Sequence, residues 1–313
     1  MNAALCIGEL LIDFIGSKNA CHLSHQSSFM MKAGGAPANV SCVIGALGGE
    51  CYFYGAVGRD GFGDFLENTL KEFNVVTTNL KRTEKATTLA FVSIDEKGER
   101  DFVFVRGADA ELEIEDLETV DYEKSQIVHF GAATGFLKGP LKQTYSELCN
   151  KAIQDKKCVS FDPNYRSAFW QTNQKDFIAA TEAFLNKAHL IKLSDVEAFL
   201  LSGTNDLSTA IEFFKSKYDG TFAITLGADG VSLFCKEWDI RVPAPKVKAV
   251  DTTGAGDAFI GALIHALACN DDPFIALKSV ELMKQYAETA NKIAANICTE
   301  YGALTALEKY VTR

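Results

Sequence analysis

The chain has 313 residues, 47% of them hydrophobic, and a formal charge of −10. A core of that size suits one large α/β unit, and the acidic balance excludes nucleic acid as the natural partner, because a phosphate backbone needs clustered lysine and arginine. The nine cysteines show no CxxC or Cys/His metal spacing and mostly sit in apolar runs, which predicts buried thiols in a reducing cytoplasm; neither a signal peptide nor a membrane-length apolar stretch is predicted.

Ala4 to Ile12 is apolar apart from Glu9 and predicts a buried strand of a parallel sheet. A dinucleotide-binding fold would follow it with GxGxxG; Asp13-Phe14-Ile15-Gly16 follows instead, which argues against a nicotinamide-dependent oxidoreductase. Asp13 falls at the carboxyl end of the predicted strand, where open α/β sheets place ligands, although aspartates also form turns there. Next comes Gly34-Gly35-Ala36-Pro37-Ala38-Asn39, ahead of a helical run from Val40 to Leu47. Paired glycines before a proline make a tight turn with accessible backbone, and Asn39 offers both a donor and an acceptor. Leu89 to Ile94 and Asp101 to Val105 flank Asp95-Glu96-Lys97-Gly98 as a β-hairpin, with Phe102, Phe104 and Arg106 on one face of its second strand.

From residue 126 strands and helices alternate: strands over Gln126–Ala133, Cys158–Phe161, Leu190–Leu193 and Phe222–Leu226, and helices over Leu141–Ile153 and Asp176–Leu185. That order predicts a doubly wound sheet. His129, inside an apolar strand, reads as a core residue. Asp162-Pro163-Asn164-Tyr165-Arg166 ends one strand, and the planar fork of Arg166 suits a phosphate or sugar oxygen. Lys192-Leu193-Ser194-Asp195-Val196-Glu197 ends the next, and Thr225-Leu226-Gly227-Ala228-Asp229-Gly230 makes a later turn. No GxxxxGK[ST] occurs, which excludes a P-loop.

Val250-Asp251-Thr252-Thr253-Gly254-Ala255-Gly256-Asp257-Ala258-Phe259 reads as a tight loop opening into a buried helix, followed by a further amphipathic helix from Pro273 to near Cys298. Small residues at 254–256 let the backbone approach a ligand, and free amides at a helix N-terminus favour an anion. Asp257 beside such an anion hole suits phosphoryl transfer: the amides meet growing negative charge and the carboxylate takes a proton from an alcohol. An acidic residue that merely stabilises a first helical turn is the plain alternative.

The ten-residue string resembles the second signature of the ribokinase-like, or PfkB, carbohydrate kinases. Gly34-Gly35 with Gly55–Gly63 resembles the first, Asp162–Arg166 the family's DPNxR, and 194–197 its NxxE with Ser194 in place of asparagine. The resemblance runs from Gly8 to Gly302 and is nearest to fructokinases of bacterial type. It implies one ribokinase-like domain over 1–313, a three-layer α/β/α unit with a small β-sheet lid from segments 14–33 and 86–109. It implies ATP-dependent phosphorylation of a sugar, fructose to fructose 6-phosphate, with Asp257 as base, Gly254, Ala255 and Gly256 as anion hole and Arg166 at the transferred group. The sugar residues by this resemblance are Asp13, Gly34, Gly35, Asn39, Phe102 and Arg106, the arginine neutralising either Asp13 or a substrate carboxylate. ATP falls to Asn164, Lys192, Glu197, Thr225, Gly227, Gly230 and Asn291. Glu197 orders water around Mg²⁺, and Asp251, Thr253, Cys298, Tyr301 and Ala303 form a K⁺ site. A cytoplasmic enzyme, dimeric through its lid, is the accompanying expectation. The rivals are a 2-keto-3-deoxygluconate kinase, another sugar or nucleoside kinase of the family, a non-catalytic interaction protein of this fold, and the oxidoreductase argued against above.

Overall fold

The computed structural model describes residues 2–17, 22–94, 100–170 and 172–311. In chain order the strands are β1 (Ala3–Ile7), β2 (Leu11–Gly16), β3 (Phe29–Gly34), β4 (Cys51–Gly58), β5 (Leu80–Thr83), β6 (Leu89–Ile94) and β7 (Arg100–Val105). They continue with β8 (Ser125–Gly131), β9 (Cys158–Asp162), β10 (Leu190–Ser194), β11 (Thr221–Thr225), β12 (Val231–Phe234) and β13 (Asp239–Val242). The main sheet has the order β13-β12-β11-β10-β9-β8-β1-β4-β5, parallel from β11 to β5 and closed at one edge by the antiparallel β12 and β13.

Alternation along β1 shows why the sheet carries helices on both faces. Ala4 and Cys6 point into a core shared with the helices Ala36–Ala46, Gly61–Glu72, Ala255–Ala268 and Val280–Ile297. Leu5 and Ile7 point into a second core with the helices Pro140–Gln154, Gln174–Leu185, Asp195–Ser202 and Leu207–Lys217. Both faces are buried, so the strands carry apolar residues at nearly every position. His129 lies inside this core, fully buried, with Nδ1 3.0 Å from Ser160 Oγ, and burial holds it neutral. No helix among the described residues is long and apolar enough to cross a membrane.

Two sequence expectations need correction. The apolar run Ala4–Ile12 is not one strand. It breaks after Ile7 at Gly8, whose φ of 147° is costly for any other residue, and a Cβ there would strike Pro37 and Tyr145. The chain leaves the main sheet at that point and re-enters as β2 of a second, four-stranded sheet ordered β3-β2-β6-β7. Asp13 therefore belongs to this smaller sheet, which begins at Leu11 and not at 14. The second correction concerns the helix expected from Pro273 to Cys298, which is two: Pro273–Lys278 and Val280–Ile297. Ser279 sits between them with extended backbone and caps the second, its Oγ accepting from Leu282 N at 3.3 Å. The turn Asp95-Glu96-Lys97-Gly98 lies outside the described residues, while the flanking strands pair antiparallel, Leu89 with Val105.

The small sheet has two unlike faces. Register places Asp13 opposite Lys32 and Ala90, and Phe102 and Phe104 lie on that same face. Phe14, Met31, Leu89, Phe91, Val103 and Val105 line the other.

Candidate active site

The carboxyl ends of β1, β8, β9, β10 and β11, the small sheet and the N-terminus of the helix Ala255–Ala268 supply the residues singled out from the sequence. Gly254 is the N-cap of that helix in the left-handed conformation, φ 78°, and a Cβ there would collide with Ala303. Of the three amides expected to form an anion hole, that of Ala255 is turned to the Thr252 carbonyl at 3.2 Å. The amides of Gly254 and Gly256 have no acceptor among the described residues. Asp257 follows in the first turn, 8% exposed, with Oδ2 accepting from Asn39 Nδ2 at 2.8 Å across 218 residues of sequence. Asn39 Oδ1 is buried with no partner among the described residues. Burial raises the Asp257 pKa, opposed by the Asn39 bond and increased by the charge of Asp162.

Asp13 stands in the same field. Burial pushes its pKa up to about 6, with Arg166 opposing and Asp257 adding to the rise. The two carboxylates thus sense each other and share Arg166, which is exposed and makes no side-chain hydrogen bond among the described residues. Gly34 leaves room for the Asp13 carboxylate, which a Cβ at 34 would strike. Gly35 starts the helix that carries Asn39, and Asn39 N donates to its carbonyl at 2.9 Å.

Behind the helix start lies Lys192, 6% exposed, with Nζ donating to Asp162 Oδ2 at 2.9 Å. The same Nζ is 3.0 Å from where a Cβ on Gly256 would be, so its charge lies against the Gly256 backbone. Asp162, Glu197 and Asp257 surround it and together outweigh the burial that would lower its pKa. Glu197 is buried rather than on a helix surface; Oε1 accepts from Tyr165 N at 2.7 Å and Oε2 from Ser194 N at 2.6 Å. Ser194 completes a capping box, its Oγ accepting from Glu197 N at 3.2 Å, so the serine retains an N-cap. Asn164 sits at φ 48° with Oδ1 buried and unpartnered among the described residues.

Several residues are placed differently from the expectation. Arg106 does not pair with Asp13. Its Nε donates to Asp109 at 3.1 Å, and its remaining nitrogens reach Lys138 O at 2.6 Å and Thr134 O at 3.2 Å, so its fork is spent inside the protein. Phe102 and Phe104 pack on Phe169, with ring centroids 5.7 and 4.7 Å away. Asn291 donates to Val242 O at 3.1 Å and Pro243 O at 3.2 Å, which makes it a brace for the end of β13. Thr225 Oγ1 donates to Leu193 O at 3.2 Å, and Gly227 and Gly230 shape the turn from β11 into β12. Asp251 ties the glycine loop down, Oδ1 accepting from Thr253 N at 2.9 Å and Oδ2 from Gly302 N at 2.9 Å. Val250 N and Asp251 N both donate to Cys298 O, at 2.7 and 3.3 Å.

Residues 1–309 match the family described as pfkB family carbohydrate kinase. The chain belongs to that family. Fructokinase-2 of Zea mays is 34% identical over 322 residues, covering 99% of this chain and 92% of that protein. A double-mutant fructokinase of Vibrio cholerae O395, solved in a fructose, ADP and potassium ion bound form, superposes with a TM-score of 0.87 at 27% identity, covering 98% and 95% of the two chains. Aminoimidazole riboside kinase of Salmonella enterica, complexed with its riboside and an ATP analog, gives 0.82 at 29%, covering 98% and 96%.

In this PfkB kinase two residues of the site, Asp162 and Lys32, and one buried support outside it, Glu9, escaped the sequence reading. Glu9, fully buried beside the small sheet's first connection, looked like an interruption of a strand. Asp162 carried a motif but no stated partner, and only the fold shows Lys192 against it. Lys32 is half-buried on the Asp13 face of the small sheet, and its stem lies 3.7 Å from where a Gly302 Cβ would be. Its signal was its place opposite Asp13, which register alone reveals.

Proposed function

We propose that this PfkB kinase transfers the γ-phosphoryl group of ATP to the primary hydroxyl of fructose, giving fructose 6-phosphate. The observation that carries the reading is Asp257, oriented by Asn39 at the helix start where the Gly254 and Gly256 amides and Lys192 converge. A carboxylate held there accepts the hydroxyl proton, while the amides and the two cations, Lys192 and Arg166, offset charge on the transferring oxygens. Asp13 and the Asn39 Oδ1 face the sugar, and both are acceptors suited to adjacent hydroxyls. The likeness to fructokinases supports fructose over other acceptors. ATP lies along the Thr225–Gly230 turn. Mg²⁺ would come with it, an ion that keeps much of its water and leans on the phosphates, with Glu197 as the carboxylate assigned to that water. When bound, it neutralises phosphate charge. The exposed apolar side chains Met31, Val103 and Val105 on the outer face of the small sheet support a homodimer formed through the lid.

The test is kcat/KM for fructose, ribose, glucose and 2-keto-3-deoxygluconate side by side. Fructose is expected to exceed the keto acid by roughly 10⁴, the scale on which a site built to bond hydroxyls rejects an analogue lacking them. With Arg106 spent on Asp109, Arg166, whose charge acts on both Asp13 and Asp257, is the arginine left to meet a substrate carboxylate. A preference for the keto acid that disappears in Arg166→Ala would establish the rival reading.

A K⁺ ion at this loop would draw on the Asp251 carboxylate and the Cys298 carbonyl, the latter held to the loop by the Val250 and Asp251 amides; both are hard oxygen donors. With Thr253, Tyr301 and Ala303 as the further residues of such a site, an ion held there would stiffen the loop bearing the amides. Activity is expected to be several-fold higher in K⁺ than in tetramethylammonium salts at matched ionic strength, and equal rates would overturn the site.

A further inference from the structure

Four stretches of chain connect the small sheet to the main domain: 8–10 and 34–36 around β2 and β3, and 86–88 and 106–109 around β6 and β7. A single hydrogen-bonded node touches all four. Glu9, 1% exposed, accepts from Ala36 N through Oε1 at 3.1 Å and lies 3.2 Å from Thr134 Oγ1 through Oε2. The Thr134 carbonyl accepts from Arg106 at 3.2 Å, Arg106 pairs with Asp109 at 3.1 Å, and Thr88 Oγ1 donates to the other Asp109 oxygen. Gly107 N closes the ring by donating to Thr88 Oγ1 at 2.9 Å. Thr134 belongs to the turn after β8, so the node is anchored in the main domain.

We propose that Glu9 is a positioning residue of the lid hinge, joining these connections at one buried point and thereby setting the Gly34–Asn39 turn that faces the sugar. The inference rests on reading that turn as the sugar cradle. Ala36 is the first residue of the helix carrying Asn39, so the Glu9 contact fixes where that helix begins and, three residues later, where Asn39 meets Asp257. Gly35 is bound from the same side, since a Cβ on it would strike the Glu9 carbonyl.

The role asks for a neutral acid. Burial, with Asp109 adding to it, pushes the Glu9 pKa up to about 8, against the backbone amides and the charge of Arg166. The other groups facing it are Tyr145, whose single hydroxyl proton is shared between Ile7 O and Gly131 O at 2.9 and 2.6 Å, and Arg106, already paired with Asp109. A protonated Glu9 accepts from Ala36 N on one oxygen and donates to Thr134 Oγ1 from the other. Glutamine reproduces that pattern at every pH. Ionisation places a second negative charge beside Asp109, which the charge of Arg166 offsets only in part, and the hinge loosens as pH rises through about 8.

Glu9→Gln is expected to stay within threefold of wild type at pH 7. Glu9→Ala, which orphans the buried Ala36 amide, is expected to raise the fructose KM on the order of tenfold and leave the ATP KM unchanged. In wild type the fructose KM should climb above pH 8, and in Glu9→Gln this alkaline limb should be missing. Hydrogen exchange supplies a readout without turnover: amides of β2 and β3 exchange faster in Glu9→Ala, while those of the helix Pro140–Gln154 do not. The inference fails if the glutamine variant is damaged as much as the alanine one, if both KM values move together, or if β2 and β3 exchange unchanged. Should wild type phosphorylate no sugar, the function reading falls, and the exchange comparison still decides the hinge.

Discussion

Asp257→Asn is expected to lower kcat by about 10²-fold or more, the range that general-base catalysis supplies, with the KM for ATP nearly unchanged. Asp257 Oδ2 is held by Asn39 at 2.8 Å, which leaves Oδ1 to receive the hydroxyl proton. An amide keeps the shape and cannot take that proton. Burial raises the Asp257 pKa, so in wild type kcat should fall as pH drops through a value above the usual carboxylate range; the Asn variant should lack that limb. The stability sign runs opposite to activity. A carboxyl whose folded pKa is raised favours folding fully below its unfolded pKa, and that contribution is lost as pH rises through the folded one. Ionising this buried carboxyl, which the role of base requires, is therefore costly to the fold, and the Asn variant should be equally or more stable than wild type at the pH of full activity while nearly inactive. A variant within threefold of wild-type kcat would remove Asp257 from the role of base.

Lys192→Met should cost both folding and turnover. The Lys192–Asp162 pair is buried, with side chains 8% and 2% exposed. Taking away one member strands the other as an unpaired charge, a loss of roughly 3–5 kcal/mol, which is a large share of the ~5–15 kcal/mol that holds a typical domain together. Turnover falls as well, because Nζ supplies the positive charge against the Gly256 backbone. Adding Asp162→Asn separates the two effects. The amide still accepts from Asn164 N, which reaches Asp162 Oδ1 at 3.0 Å, so urea unfolding of the double variant should return most of the stability. Its kcat should stay low. Recovery of both quantities would mean that Lys192 serves only the fold, and a single variant within 1 kcal/mol of wild type would show that the pair is not the buried node described.

Local chemistry carried far in this chain. The glycine-rich loop opening into an apolar helix at Ala255, the strand ends at Asp162 and Ser194, and the helix start at Gly35–Ala36 are each written in consecutive residues, because backbone freedom, capping and alternation act over a few positions. The doubly wound order followed from apolar runs alternating with helical ones. The same locality misled the reading of Ala4–Ile12, since two strands in different sheets can be equally apolar, and the bend at Gly8 depends on what Pro37 and Tyr145 occupy. Pro273–Ile297 misled it too: the apolar spacing continues past Ser279, whose capping geometry interrupts the helix.

Sequence alone determined the sheet's alternation, the phosphate-suited helix start and the acid in its first turn, for these are decided by neighbours within a turn or a strand. Tertiary structure alone decided which charges meet. Lys192 lies 30 residues from Asp162 and Asn39 lies 218 from Asp257, while Arg106 passes over Asp13 for Asp109 three residues away. A charged side chain several bonds long can reach many partners. Which one it takes is set by where the folded backbone leaves a buried carboxylate or carbonyl unsatisfied, and no spacing in the sequence records that.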